Sequence, residues 1–194
     1  MEGMFQELFI SFARIYGLEV HGFEDKSKFR LRIGDCHVTS NPDALICNSA
    51  FQDQGDNDII AVVEVKKKYS REGDPESERT QQNKEIVTWQ VPHVNDNVKA
   101  KHIGEMLAVL PYSVFGNNGL YGFIVQGTNV TVVSLKLYEG YYDSLKEGQL
   151  NMKNAVVQYS RECNFLSKEG RAYLSDVFFY MSKLQDYLYE HRLT

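Results

Sequence analysis

The stretch 59-IIAVVEVK-66 limits the fold of this chain more than any other. Residues 59–63 are all apolar and mostly β-branched, which suits a strand covered on both faces rather than one side facing water. A strand buried in this way needs helices packed above and below its sheet. One acid, Glu64, interrupts the run near its C-terminal end, where a hydrophobe would be expected.

The flanking sequence supplies the remaining elements. Phe5, Leu8, Phe9 and Phe12 recur at helical spacing between residues 4 and 17, and Gly17 offers a stop. Residues 28–33 alternate apolar and charged side chains as a half-buried strand does, and 43-DALICN-48 reads as a second strand. Residues 59–66 form the third. The chain then turns polar, and 68–85 reads as a surface loop with few apolar anchors before Val87, Trp89 and Val91. Helical spacing returns at Ile103, Met106, Leu107 and Leu110 until Pro111. The strands 120–127 and 129–137 are joined tightly enough to require a hairpin. Leu174, Val177, Met181, Leu184 and Leu188 then mark a C-terminal helix. The expectation is one α/β domain over 1–194, with a core of αβββαββ order over about 1–137 and a helical extension over about 138–194.

Composition agrees with a globular chain: 43% of the 194 residues are hydrophobic and 24% charged. No apolar run approaches the roughly 20 residues of a membrane span. The N-terminal sequence MEGMFQELF does not resemble a secretory signal. Cys36, Cys47 and Cys163 are odd in number and lack CxxC spacing, which suits a reducing, intracellular setting and offers no zinc site. The net charge of -5 is unevenly spread, since 66–101 carries eight basic and six acidic side chains. An acidic body with a locally basic stretch is compatible with nucleic-acid binding, where metal ions add positive charge.

Chemistry concentrates at two strand ends. Glu64 and Lys66 are two residues apart and share a strand face. In an antiparallel pair the start of one strand adjoins the end of the next, which brings Asp43 beside Glu64. Two carboxylates and an ammonium group then converge. Carboxylates of this kind hold Mg²⁺ or Mn²⁺, which screens a phosphodiester and lowers the pKa of bound water. The Val65 carbonyl is placed as a further ligand, and Lys66 as the group that orients water or meets charge on phosphorus.

Pro42-Asp43 followed by Glu64-Val65-Lys66, in this element order, resembles the PD-(D/E)xK, or restriction-endonuclease-like, nuclease superfamily. The resemblance covers about residues 1 to 135. It implies a mixed central sheet flanked by helices and a Mg²⁺- or Mn²⁺-dependent hydrolase acting on phosphodiester bonds, with DNA favoured over RNA. It also implies Asp43, Glu64 and Lys66 as catalytic residues, and an acid from the first helix, for which Glu7 is the candidate metal ligand. The helix after the third strand commonly lends a basic or amide residue, and here Lys101 and Glu105 share a face with His102 beside them. The Gln-plus-Tyr signature of RecB-like members is absent.

Lys67, Lys68, Arg71, Arg79, Lys84 and Lys101 are the candidates for phosphate contact, although nearby acids offset several of them. Two other readings stand beside the nuclease. One is a catalytically silent module of the same fold that binds nucleic acid or a protein. The other is an RNA endonuclease of the cap-snatching type, which would give His37 a metal role. Tyr173, Phe178, Phe179, Tyr180, Tyr187 and Tyr189 cover more than one face of the last helix, which leaves a homodimer contact open.

Overall fold

The buried run becomes β5 (Ile59–Lys66), the centre of a mixed sheet. The structure is a computed structural model, and it describes residues 2–22, 29–48, 58–67, 94–149 and 155–192. Before β5 come α1 (Glu2–Arg14), β1 (Glu19–Gly22), β2 (Phe29–Ile33), β3 (Cys36–Ser40) and β4 (Ala44–Cys47). After it come α2 (Asp96–Val109), β6 (Gly119–Gln126), β7 (Asn129–Leu137), α3 (Tyr141–Lys146), β8 (Ala155–Tyr159), β9 (Cys163–Asn164) and α4 (Lys168–Arg192). The sheet order is β1-β4-β5-β6-β7-β8, with β9 also paired to β7. Among the described strands only β5 and β6 run parallel, and α2 lies on the connection between them.

Alternation along the strands sorts their side chains into two cores. On one face Val63, Val65 and Phe123 meet Phe9 and Ile10 of α1 and Phe178 and Met181 of α4. On the other, Leu45, Val62 and Ile124 meet Met106 and Val109 of α2, Leu145 of α3 and Phe29 and Leu31 of β2. The architecture is therefore α/β, a mixed central sheet with helices on both faces. The β6–β7 turn is the expected hairpin, made by Gly127 at φ 63°.

Three expectations need correction. Residues 29–33 do alternate as predicted, but β2 pairs with β3 in a separate two-stranded sheet. The first strand of the central sheet is instead β1, antiparallel to β4. The stretch 138–194 is not wholly helical, because β8 extends the central sheet and β9 caps the start of β7. On α2 the buried residues are Val98, His102, Glu105, Met106, Ala108 and Val109, so the buried face is turned from the expected Ile103, Met106, Leu107, Leu110 stripe and carries two polar side chains, while Ile103 and Leu107 are half-buried. On α4, Phe178 and Gln185 turn inward beside Leu174 and Met181, while Phe179, Tyr180, Tyr187 and Tyr189 are exposed. The 68–85 loop, with Val87, Trp89 and Val91, lies outside the described residues. No helix among the described residues is long and apolar enough to cross a membrane.

Candidate active site

The β4–β5 ladder pairs Ala44 with Val63, and Asp43 extends it by one step. Its N–H donates to the Val63 carbonyl at 3.1 Å, and its Oδ2 accepts the Val65 N–H at 2.6 Å. These two bonds hold Asp43 across from Glu64, as the antiparallel register requires. The Val65 carbonyl leaves the strand on the same edge as its N–H, towards Asp43 and past the last β4 pair. Asp43, Glu64 and Lys66 all fall on the α2 side of the sheet by alternation.

Glu64 is fully buried, and two ammonium groups meet its Oε1. Lys66 Nζ stands at 2.5 Å and Lys101 Nζ at 2.6 Å. A buried carboxylate without such partners would cost several kcal/mol. Lys101 also stands 3.2 Å from Glu105 Oε1, one helical turn along. Glu105 is 2% exposed, and neither of its oxygens receives a well-aligned hydrogen bond. Glu64 Oε2 is likewise buried without a partner, as are both ring nitrogens of His102. His102 Nδ1 lies 3.7 Å from Glu105 Oε2. The ring fits there because residue 122 of β6 is glycine: a Cβ at that position would stand 2.3 Å from His102 Nε2.

The electrostatics follow from this burial. Desolvation pushes the Asp43 carboxyl above its usual range, against the pull of the Val65 N–H. Desolvation also raises Glu105, against the opposing field of Lys101. Burial lowers His102 to about 4, so the ring is neutral at physiological pH. For Lys101, burial favours the uncharged amine, but the bond to Glu64 and the field of Glu105 outweigh it and hold the ammonium above its ordinary value.

No protein-family model, curated protein or solved structure matches this chain.

Asp43, Glu64 and Lys66 come together as the sequence predicts. Glu7 is exposed on α1, and the α1 side chain that reaches this region is its neighbour Gln6, whose Nε2 donates to the Asp43 carbonyl at 2.6 Å. Lys101 engages Glu64 and Glu105, and Lys67 is exposed just past β5. Lys68, Arg71, Arg79 and Lys84 lie outside the described residues. His37 is exposed on β3, across from Arg32 in the two-stranded sheet. Sequence reasoning named Glu105 and His102 beside Lys101 on this helix without giving either a role, and it did not single out Gln6 or Gly122. The available signal was Val98, His102, Glu105, Met106 and Val109 at helical spacing, a core stripe with two polar members.

Among the described residues, no three His, Cys, Asp or Glu side chains are grouped closely enough to hold a metal ion as they stand. Two ammonium groups converge on Glu64 instead. The chemistry of the nearby groups is that of hard oxygen donors: the Asp43, Glu64 and Glu105 carboxyls are of the type a hard cation takes, and three of their buried oxygens lack hydrogen bonds.

Proposed function

We propose that this protein is a restriction-endonuclease-like nuclease that hydrolyses phosphodiester bonds with Mg²⁺ or Mn²⁺, acting on DNA in preference to RNA. The observation that carries this reading is the β4–β5 register, which sets Asp43 against Glu64 with Lys66 on the same face. Asp43 and Glu64 would hold the cation, with the Val65 carbonyl beside them. Bound there, a divalent ion supplies charge screening of the phosphate and a more acidic water. Asp43 keeps its orientation through Val65 N–H, so the carboxylate is preorganised before any ligand arrives. Lys66 meets the negative charge that builds on the phosphate during attack, and Lys67, one residue on, belongs to the opposite side.

A second reading has its own observation. Lys66 and Lys101 already neutralise Glu64, as a catalytically silent module that binds nucleic acid or protein would allow. Incubation with single-stranded, double-stranded and branched DNA and RNA, in Mg²⁺, Mn²⁺, Ca²⁺ or EDTA, separates the two. The nuclease reading expects cleavage in Mg²⁺ or Mn²⁺ that EDTA abolishes and that Asp43→Ala lacks. Binding without cleavage under every condition would favour the silent module. Cleavage confined to RNA, with a manganese preference and sensitivity to His37→Ala, would favour the cap-snatching alternative.

A further inference from the structure

Glu105 and Lys101 of α2 meet beside Asp43 and Glu64. Glu105 is an acid in the core stripe of its helix, 2% exposed, with both oxygens lacking a hydrogen bond. A position of that kind ordinarily takes a hydrophobe, and an ionised carboxylate there is costly unless something compensates it. Lys101 is the compensating group. Its Nζ lies 2.6 Å from Glu64 Oε1 and 3.2 Å from Glu105 Oε1, one ammonium shared by two carboxylates from different elements. Lys66 already supplies Glu64 with a cation from within β5.

We propose that Glu105 is a third carboxylate of the cation site, and that Lys101 is its resident counter-ion, holding by its ammonium the place a divalent ion takes and yielding that place when the ion binds. The inference rests on the metal-dependent reading and adds to it an exchange of one cation for another.

Three observations support the exchange. The Lys101 side chain is 47% exposed, so it can leave for solvent without opening the core. Charge favours the substitution: three carboxyls, Asp43, Glu64 and Glu105, face two lysines, and a doubly charged ion in place of Lys101 brings the facing positive charge to three. Glu64 Oε2 and both Glu105 oxygens are buried without a hydrogen bond, Glu105 Oε1 being held only by the ion pair to Lys101, and the exchange gives them a ligand. Neutral His102 stands behind Glu105, with Nδ1 3.7 Å from Oε2, and fills the gap to Gly122 so that the carboxylate stays on the sheet side. Once released, Lys101 lies at the rim, where a phosphate of the substrate would meet it.

Manganese affinity, measured by calorimetry on the intact chain without nucleic acid, tests this directly. Lys101→Met should bind Mn²⁺ about tenfold or more tightly than wild type, because the competing ammonium is gone. Lys66→Met should gain less, because Lys66 stays in place when the ion binds. Glu105→Gln should lose more than about tenfold in affinity. Equal gains for the two lysine variants would reduce the effect to general charge and overturn the exchange. Wild-type affinity in Glu105→Gln, with binding lost in Asp43→Ala, would overturn the third-ligand role and leave the metal-dependent reading standing. If no variant binds Mn²⁺, both fall. Should Glu105→Gln fail to fold in a thermal melt, the comparison of the two lysine variants decides alone.

Discussion

Gly122 and Gly104 form a matched pair on which the α2–sheet geometry stands or falls. A methyl group at Gly122 would stand 2.3 Å from His102 Nε2, 3.0 Å from its Cε1 and 3.1 Å from Met106 Sδ. Ordinary contact between such atoms is about 3.5 Å, so roughly 1 Å of movement is required. His102 is fully buried, with Glu105 against its other nitrogen, so the ring has no open side to turn into. Either α2 lifts from the sheet or the ring takes a strained rotamer, a cost of about 1–3 kcal/mol. Replacing glycine with alanine also narrows the unfolded ensemble, which returns about 0.4–1 kcal/mol. The expected outcome for Gly122→Ala is a net loss of about 1–2 kcal/mol. At Gly104, in the middle of α2, nothing lies within 4 Å of the added methyl. Gly104→Ala should therefore gain up to about 1 kcal/mol from helix propensity. Urea denaturation of both variants, with the slope checked against wild type, reads the difference. A second substitution, His102→Ala, should recover most of the Gly122→Ala loss, with a coupling of about 0.5–3 kcal/mol. If Gly122→Ala is as stable as wild type, or His102→Ala fails to rescue it, the α2 register described above is wrong.

Further outcomes can be checked on the same protein. Lys66→Ala should cut the single-turnover cleavage rate by about 10²–10³ while Mn²⁺ affinity holds, and Lys67→Ala should change it little. Burial raises Asp43, so its contribution to stability is full below its unfolded pKa near 3.8 and is lost as pH rises through the folded value. In metal-free buffer, Asp43→Asn should therefore gain stability over wild type between about pH 3.5 and pH 7, and parallel melting curves across that range would contradict this. Of the three cysteines, exposed Cys36 should react quickly with a thiol reagent under native conditions. Burial raises Cys47, and pushes Cys163 up to about 11, so both should label only on unfolding.

What the sequence disclosed and what it hid follow from burial. β5 was legible to the residue because both of its faces are covered, so residues 59–63 had to be apolar and Glu64 stood out against them. The Asp43–Glu64–Lys66 grouping was legible because strand alternation and antiparallel register are fixed geometry. The strands that escaped notice lie where burial is partial. In β3, Cys36 to Thr39 are all exposed, so 36-CHVTS-40 carries no alternation to read. β1 is a four-residue edge strand with a single buried side chain, Val20. β8 also lies on an edge, with no residue fully buried, so an expected helical extension absorbed it. On α4 the apolar stripe misled in register: Gln185 points inward because its amide bonds the Cys47 carbonyl, and no apolar count reveals such a pairing. The sequence places His102 and Glu105 beside Lys101 on the helix after the third strand, but no apolar count reveals that these polar side chains are buried against the sheet.

The single parallel pair in the sheet also sets the order in which this protein can be born. β6 and β7 meet through a two-residue turn and close early, as hairpins do in microseconds. β5 pairs with β6 in a register that joins Ala61 to Tyr121, so the chain must first close a loop of about sixty residues and pay its entropy. Glu64 and Lys66 belong to β5, and Lys101, His102 and Glu105 ride on the segment that spans the loop. The full charge cluster thus exists only after this long-range contact has formed. A chain in which β5 has not yet paired with β6 lacks the assembled charge cluster.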